Sequence, residues 1–348
     1  MKHFRARRVT GKLRAVQVRE WDPASAPADE ITAVLRALNK GLAVDLPGDP
    51  QWRATSFREY LAVTMPGERR ACWLAERDGE VLGLSSVLLL GDIGVLEMWV
   101  RPDVRRRGLG CTLLAAAVRR CEADGFGSIG VEVVEGTSAI EFYEAIGFRC
   151  AFVEVRNLLD LSTVDWLQLG AYARGVGSGY RIEYYPGGPP EELFEAYAAA
   201  KSSMRGIPTN DLELRPSSYD AERLRASLRT LHARGLKPYI VLAIHETSGS
   251  VAGLTEVVIP DQRPTRADQY DTVVVPKHRG YGLGRALKAR MLFELRSAEP
   301  QLLDVQTWNS IESQHIGRVN AELGFLPDRQ WREYEADVGE LVRRLKAV

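Results

Sequence analysis

Between Cys72 and Arg77 apolar and polar residues alternate, Asp78-Gly79 then supplies turn chemistry, and Val81 to Leu90 is a second β-rich run. This pattern predicts a hairpin. Leu96 to Val100 adds a third strand. Beyond it the period changes. Leu109, Leu113, Ala117 and Cys121 recur every four residues and share one helix face, with Arg119, Arg120 and Glu122 elsewhere. Ile129 to Val134 reads as a strand, Ser138 to Ile146 as a short helix, and Cys150 to Val155 as a last strand. The succession then recurs: Tyr239 to Ile244, a turn around Ser248-Gly249-Ser250, Val251 to Ile259, Tyr270 to Val275, a helix whose Leu283, Leu287, Met291 and Leu295 share a face, Leu303 to Trp308, and a helix over Glu312 to Leu323. Helical segments are expected to open each unit, Asp29 to Leu42 and Ser56 to Val63 in the first, Pro190 to Met204 and Tyr219 to Arg234 in the second. Glycine-rich Gly170 to Gly179 reads as the linker, and a helix from Tyr334 to Ala347 is expected to close the chain.

The recurrence extends to particular residues. Arg105-Arg106-Arg107-Gly108-Leu109-Gly110 and Arg279-Gly280-Tyr281-Gly282-Leu283-Gly284 both fit R-x-x-G-x-G, and position 282 lies 174 residues after position 108, half of the 348-residue chain. Upstream, Val81-Leu82-Gly83-Leu84 is matched by Val251-Ala252-Gly253-Leu254, and Val100-x-Pro102 by Val274-x-Pro276. Downstream, Gly147-Phe148 is matched by Gly324-Phe325. One α/β unit with a mixed sheet is therefore expected twice, over residues 1–160 and 180–348, joined by a linker at 161–179.

The balance of 46 Lys+Arg against 46 Asp+Glu removes nucleic acid as an expected partner, since electrostatic binding of a polyanion needs a basic excess or stripe. The opening MKHFRARRVTGKLR is basic but lacks the apolar core of a secretory signal. The most apolar window, Val81 to Val100, contains Asp92 and Glu97, so it reads as strands and no membrane association is expected. Cys72, Cys111, Cys121 and Cys150 form no C-x-x-C pair. They are read as four small buried hydrophobes in a reducing cytoplasm, with no metal site.

A strand, a loop with two glycines one residue apart, and a helix start gather unpaired backbone N–H groups in one concavity. That is an anion site, and a pyrophosphate is its natural guest. Neither copy is a G-x-x-x-x-G-K-[ST] loop or a G-x-G-x-x-G dinucleotide fingerprint. The order strand, V-x-P, R-x-x-G-x-G, amphipathic helix, strand, and Phe142-Tyr143-Glu144-Ala145-Ile146-Gly147-Phe148 resembles the GNAT N-acetyltransferase superfamily, once over about 13–158 and again over about 180–335. The tandem arrangement, with Asp271-Thr272-Val273-Val274, His278 to Gly284 and Thr307-Trp308-Asn309, resembles mycothiol synthase and related actinobacterial two-domain acetyltransferases. The resemblance implies two GNAT-type domains using acetyl-CoA as cosubstrate. Its pyrophosphate would be held by Arg105, Arg106, Arg107, Gly108, Leu109, Gly110 and Cys111, or by Arg279, Gly280, Tyr281, Gly282, Leu283, Gly284 and Arg285. The pantetheine arm would lie along Met98, Trp99 and Val100, or Thr272, Val273 and Val274.

Acetyl transfer to an amine calls for a base, because an alkylamine is protonated at neutral pH. Glu97 and Asp271 fill equivalent strand positions and are the base candidates, with Asp268 a weaker one. A bulge in this strand would decide which face each presents. Tyr143 stands where the superfamily often places its general acid; the second half has Asn320 there, which cannot deliver a proton. The first half is therefore the better catalytic candidate, although resemblance to mycothiol synthase favours the second. The asparagine common in the family seven residues before the tyrosine is replaced by Gly136 and Ser313, and His278 and His315 read as solvated surface residues. Residues 42–66 and 200–235 are expected to wall the acceptor side, with Trp52, Met204 and Tyr219 lining an apolar pocket for a small-molecule amine. The competing reading is a CoA-binding sensor or scaffold without turnover.

Overall fold

A computed structural model describes residues 16–203, 219–310 and 314–346 of the chain. Met204, Glu312 and Ser313 lie outside the described residues, as do the basic opening stretch and the side chain of His315. In the first half the chain runs β1 (Gln17–Trp21), α1 (Ala28–Asp45), α2 (Phe57–Ala62), β2 (Arg69–Arg77), β3 (Glu80–Leu90), β4 (Ile93–Val100), α3 (Leu109–Ala123), β5 (Ser128–Val134), α4 (Ser138–Ile146) and β6 (Arg149–Asp160). After α5 (Trp166–Arg174) the order repeats: β7 (Tyr180–Pro186), α6 (Phe194–Ser202), α7 (Ala221–Ala233), β8 (Leu236–His245), β9 (Val251–Pro260), β10 (Arg266–Val274), α8 (Leu283–Ala298), β11 (Asp304–Ser310), α9 (Gln314–Glu322), β12 (Leu326–Asp337) and α10 (Val338–Lys346).

All twelve strands form one sheet, in the order β1-β2-β3-β4-β5-β12-β6-β11-β10-β9-β8-β7. Each half gives its last strand to the other. β12 pairs antiparallel with β5, β6 pairs antiparallel with β11, and the two exchanged strands pair with each other at the centre. The following helices go with them, so that α10 packs on α3 and α5 on α8. Expected position 160 thus falls at the end of a strand inside the shared sheet.

Alternation along the strands sorts side chains to two faces. Ala71, Trp73 and Ala75 of β2 face α3 and α10, while Cys72 and Leu74 face α1 and α2. Val241 and Ala243 of β8 join the core under α8, and Ile240 and Leu242 the core under α6 and α7. The duplication reaches backbone contacts. A β-carbon on Gly83 would come within 2.8 Å of the Trp99 carbonyl and 3.1 Å of Leu113, and one on Gly253 within 2.8 Å of the Val273 carbonyl and 3.1 Å of Leu287. Only glycine permits so close a helix-to-sheet approach.

Buried ions tie the halves together. Asp49, in the loop after α1, accepts from Arg156 of β6 at 2.6 and 2.8 Å and lies 3.1 Å from Arg266 of β10. Arg156 also donates to Asp328 of β12 and is only 2% exposed. Such pairing is required, because a guanidinium buried without carboxylates would be strongly destabilising.

Four expectations are corrected. The halves open on edge strands, β1 and β7, before their first helices; both are short and carry few buried apolar residues, so periodicity hides them. The linker stretch is helical through Arg174, capped by Asp165, which accepts from the Leu167 and Gln168 amides. Residues 334–337 belong to β12 and not to the closing helix: Arg-Glu-Tyr-Glu-Ala-Asp favours helix locally, and pairing on both edges overrides it. Two of the four cysteines are not buried, Cys111 being half-buried and Cys150 exposed.

Candidate active site

The two glycine loops have the same backbone. Gly108 and Gly282 cap α3 and α8 in the left-handed region, at φ 80° and 75°, and the residues two before them are left-handed as well, Arg106 at 60° and Gly280 at 88°. The leading arginine of each motif serves as an anchor. Arg105 Nε donates to the Val100 carbonyl at 2.8 Å, and Arg279 Nε to the Val274 carbonyl at 3.2 Å. These bonds fold the loop back onto the strand end and aim the helix N-terminal amides into the space beside it.

In the first half that space is a cleft of about 350 Å³. It is lined by Met98, Trp99 and Val100, by every motif residue from Arg105 to Cys111 except Arg107, and by Phe142 and Tyr143 of α4. Asp45 at the end of α1 closes one side and accepts both Arg105 Nη atoms, at 2.7 and 2.5 Å. Tyr143 is 2% exposed, wedged between the Phe142 and Phe148 rings, and burial raises its phenol above the ordinary value. Among the described residues its hydroxyl has no hydrogen-bond partner. It is a donor held ready in an apolar wall.

Around the second loop the equivalent residues are engaged differently. Arg285, the counterpart of Cys111, stacks 4.2 Å over Tyr172 of α5 and donates to Glu322 at 2.8 Å. The Gly175 carbonyl lies 3.8 Å from where a β-carbon of Gly282 would be, and Tyr281 leans against Tyr180. Thr272 bonds Thr255 at 2.7 Å, and Val273 and Leu283 are core residues. Asn320, at the place of Tyr143, accepts from Lys288 at 2.7 Å and donates to Asn309 at 2.6 Å. Lys288 replaces Leu114; it is 3% exposed, and burial lowers its amine to about 7.

The base candidates separate. Glu97 lies on the first cleft's strand, β4, half-exposed, with Arg70 3.0 Å from its Oε2. β4 pairs with β3 without interruption, so no bulge turns Glu97, whereas β10 is bulged between Gln269 and Thr272. Asp271 faces Lys201 at 3.1 Å, in a buried network with Glu256 and Tyr197. Asp268 accepts from Arg263 and Gln306, at 2.7 and 2.6 Å, which makes it part of the central ion network. His278 is buried, not solvated: its Nδ1 bonds the Tyr180 hydroxyl at 2.9 Å and burial lowers its basicity. Trp52 packs on Phe57, Tyr60 and Arg263, whereas Tyr219 lies over Lys201 in another cluster, so the two do not line one pocket. Sequence reasoning missed Asp45, Arg70, Glu132, Lys288 and Glu333. Only Lys288 carried a signal there, as a charge on the apolar face of a repeated helix.

Residues 35–148 match the model of the family described as Acetyltransferase (GNAT) family. A search of curated protein sequences finds no match. Among solved structures, a tandem GNAT protein from the clavulanic acid biosynthesis pathway, solved without AcCoA, shares 24% identity over 93% of this chain and 99% of its own, with a TM-score of 0.79. A GCN5-related N-acetyltransferase from Sphaerobacter thermophilus shares 17% identity over 93% of this chain and 96% of its own, with a TM-score of 0.67. At these identities the likeness is one of fold.

Proposed function

We propose an acetyl-CoA-dependent N-acetyltransferase of small cationic amines, with its chemistry in the first half; the match of residues 35–148 to the GNAT family model and the fold likeness of 93% of the chain to a tandem GNAT protein support this reading. The cleft carries this reading. Strand Met98–Val100, the amides at the start of α3 and Tyr143 line it together, whereas around the second loop the counterparts of Cys111 and Tyr143 are engaged with other side chains, Arg285 with Tyr172 and Asn320 with Lys288.

The residues suit the cosubstrate. The positive end of α3 and the amides around Gly108 would hold the pyrophosphate, and the open backbone of Met98 to Val100 would pair with the amide groups of the pantetheine arm. Acetyl-CoA supplies an acetyl group activated as a thioester. Tyr143 would place its hydroxyl at the sulfur and give it a proton. Glu97, at the strand's edge on the opposite face of the sheet, would hold the acceptor ammonium. The second half serves as a structural partner that contributes β12 and α10. A cytoplasmic location fits cysteines that are all free.

The test is thiol release from acetyl-CoA in the presence of a panel of mono-, di- and polyamines. Amine-dependent CoA release, with a carboxylate-only panel inert, is the expected result. Tight acetyl-CoA binding without release for any amine would establish the sensor reading instead.

A further inference from the structure

Parallel strands β4 and β5 stop pairing at Leu96 and Val131. The next residue on each is a glutamate, Glu97 and Glu132, and both lie on the sheet face away from α3. These two carboxylates stand where the paired strands part, Glu97 one residue before the cleft-lining Met98. Across the following strand boundary Glu132 stands directly opposite Glu333 of the exchanged strand β12, a register that brings β-carbons to about 4.5–5.5 Å. On β6, Glu154 is paired with Trp331 and lies diagonal to Glu333.

The charges around this opening are unevenly matched. Glu97 has Arg70 of β2. Arg156 of β6 is committed to Asp49 and Asp328, and Glu335, two residues along β12, is opposite Arg149. Among the described residues no ion pair reaches Glu132 or Glu333. Desolvation first, then Glu132 and Glu154, push the half-buried Glu333 carboxyl up to about 8; Glu132 keeps an exposed side chain, and its carboxyl is raised by desolvation through crowding among neighbouring groups, then by Glu97. Two carboxyls on directly opposed positions disfavour double ionisation, and the one that loses its proton last is a stronger base than an ordinary carboxylate.

On the acyl-transfer reading, we propose that Glu333, brought into the first half on the exchanged strand, is the base that takes the proton of the acceptor ammonium, with Glu132 as its directly opposed neighbour. An N–H bond of the ammonium breaks as an O–H bond forms on Glu333. The freed nitrogen pair makes the C–N bond of the amide while the thioester C–S bond breaks and its electrons leave on sulfur. The second surplus amine proton reaches the sulfur through Tyr143, and Glu333 returns its own to water. Glu97, held by Arg70, orients the ammonium.

The sign of the pH dependence follows. Glu333 acts only when ionised, so kcat/KM should rise tenfold per pH unit up to about 8 and then level. Glu333→Gln should lower kcat/KM by roughly a hundredfold or more with acetyl-CoA affinity unchanged by calorimetry. Glu132→Gln removes the repulsion and should move the rising limb to lower pH by about one unit. Carbon NMR of the Glu333 carboxyl, recorded without acetyl-CoA, should titrate near 8 in the unaltered protein and lower in Glu132→Gln. Activity and pH limb both unchanged in Glu333→Gln, while the unaltered protein still releases CoA with an amine, would overturn this inference and leave acyl transfer standing. Absence of amine-dependent release from the unaltered protein would overturn both. If glutamine at 333 disturbs the sheet, the NMR titration decides, and a Glu333 midpoint near 4.5 rejects the base.

Discussion

The two halves share a backbone device and differ in what surrounds it. Each has a strand ending in V-x-P, an arginine folded back on that strand's last carbonyl, two left-handed residues, and a helix whose first amides point into the resulting hollow. Around the first hollow stand Asp45, Phe142 and Tyr143, which line a cleft. Around the second stand Arg285 stacked on Tyr172, the Gly175 carbonyl, Lys288 and Asn320. A glycine loop therefore supplies only the capacity to bind an anion. Whether it becomes a site depends on neighbours outside the motif, one of them, Tyr172, on the helix that follows an exchanged strand.

The largest effect is expected from charging the loops. Gly108→Glu and Gly282→Glu impose the same backbone cost, since both positions are left-handed, so any difference between them reports on use and not on strain. Gly108→Glu should abolish acetyl-CoA turnover, by more than about a hundredfold, whereas Gly282→Glu should stay within several-fold. Equal losses in steady-state assays would mean that both loops take part.

Lys288 sharpens the comparison through stability. An amine at about 7 in the fold and near 10.5 when unfolded binds fewer protons in the native state between those values, so its penalty is full below pH 7 and fades as pH rises toward 10.5. The span corresponds to at most about 5 kcal/mol. Lys288→Leu copies the first half's Leu114 and should raise the midpoint of thermal unfolding at pH 6 by several degrees, with a much smaller gain at pH 9. Equal shifts at both pH values would show that the amine is charged in the fold.

Sequence reasoning reached the duplication because both loops and the G-F pair carry residues that local geometry demands, and a repeat multiplies such signals. It also gathered the strand and loop walls of the first cleft, since Met98 to Val100 and Arg105 to Cys111 are adjacent in the chain and Tyr143 sits on a short helix with a clear motif, but not Asp45 or the start of α4. The exchange of β6 and β12 had no such trace. Either strand can pair with either fifth strand by the same hydrogen bonds, and the choice is made by the whole sheet. Missing β12 meant missing Glu333, whose partner Glu132 is 201 positions away. Arg70 and Asp45 were hidden for a related reason: isolated charges on a strand start and a helix end look the same whether they face solvent or a site.

Tyr143→Phe tests the difference at α4. With the cleft's shape retained and only the proton donor removed, kcat should fall about tenfold or more while the Kd for acetyl-CoA changes little. A loss confined to binding would make Tyr143 a wall and not an acid.

The smallest expected effect isolates the loop anchor. Both leading arginines hold the strand-end carbonyl, but among the described residues only Arg105 has a carboxylate, Asp45, behind it in a bidentate pair. The pair fixes the guanidinium plane and so the position of the amides that would receive pyrophosphate. It also ties the loop to α1, which shares its core with the acceptor-side Trp99. Asp45→Asn keeps one acceptor oxygen and the volume, and converts the first anchor toward the second half's version. It should weaken acetyl-CoA binding three- to tenfold, an effect of about 1 kcal/mol for a partly exposed pair, with kcat at saturation nearly unchanged. A fall in kcat larger than the loss of affinity would place Asp45 on the acceptor path, and the contrast between the two loops would then lie in the acceptor walls and not in the anchor.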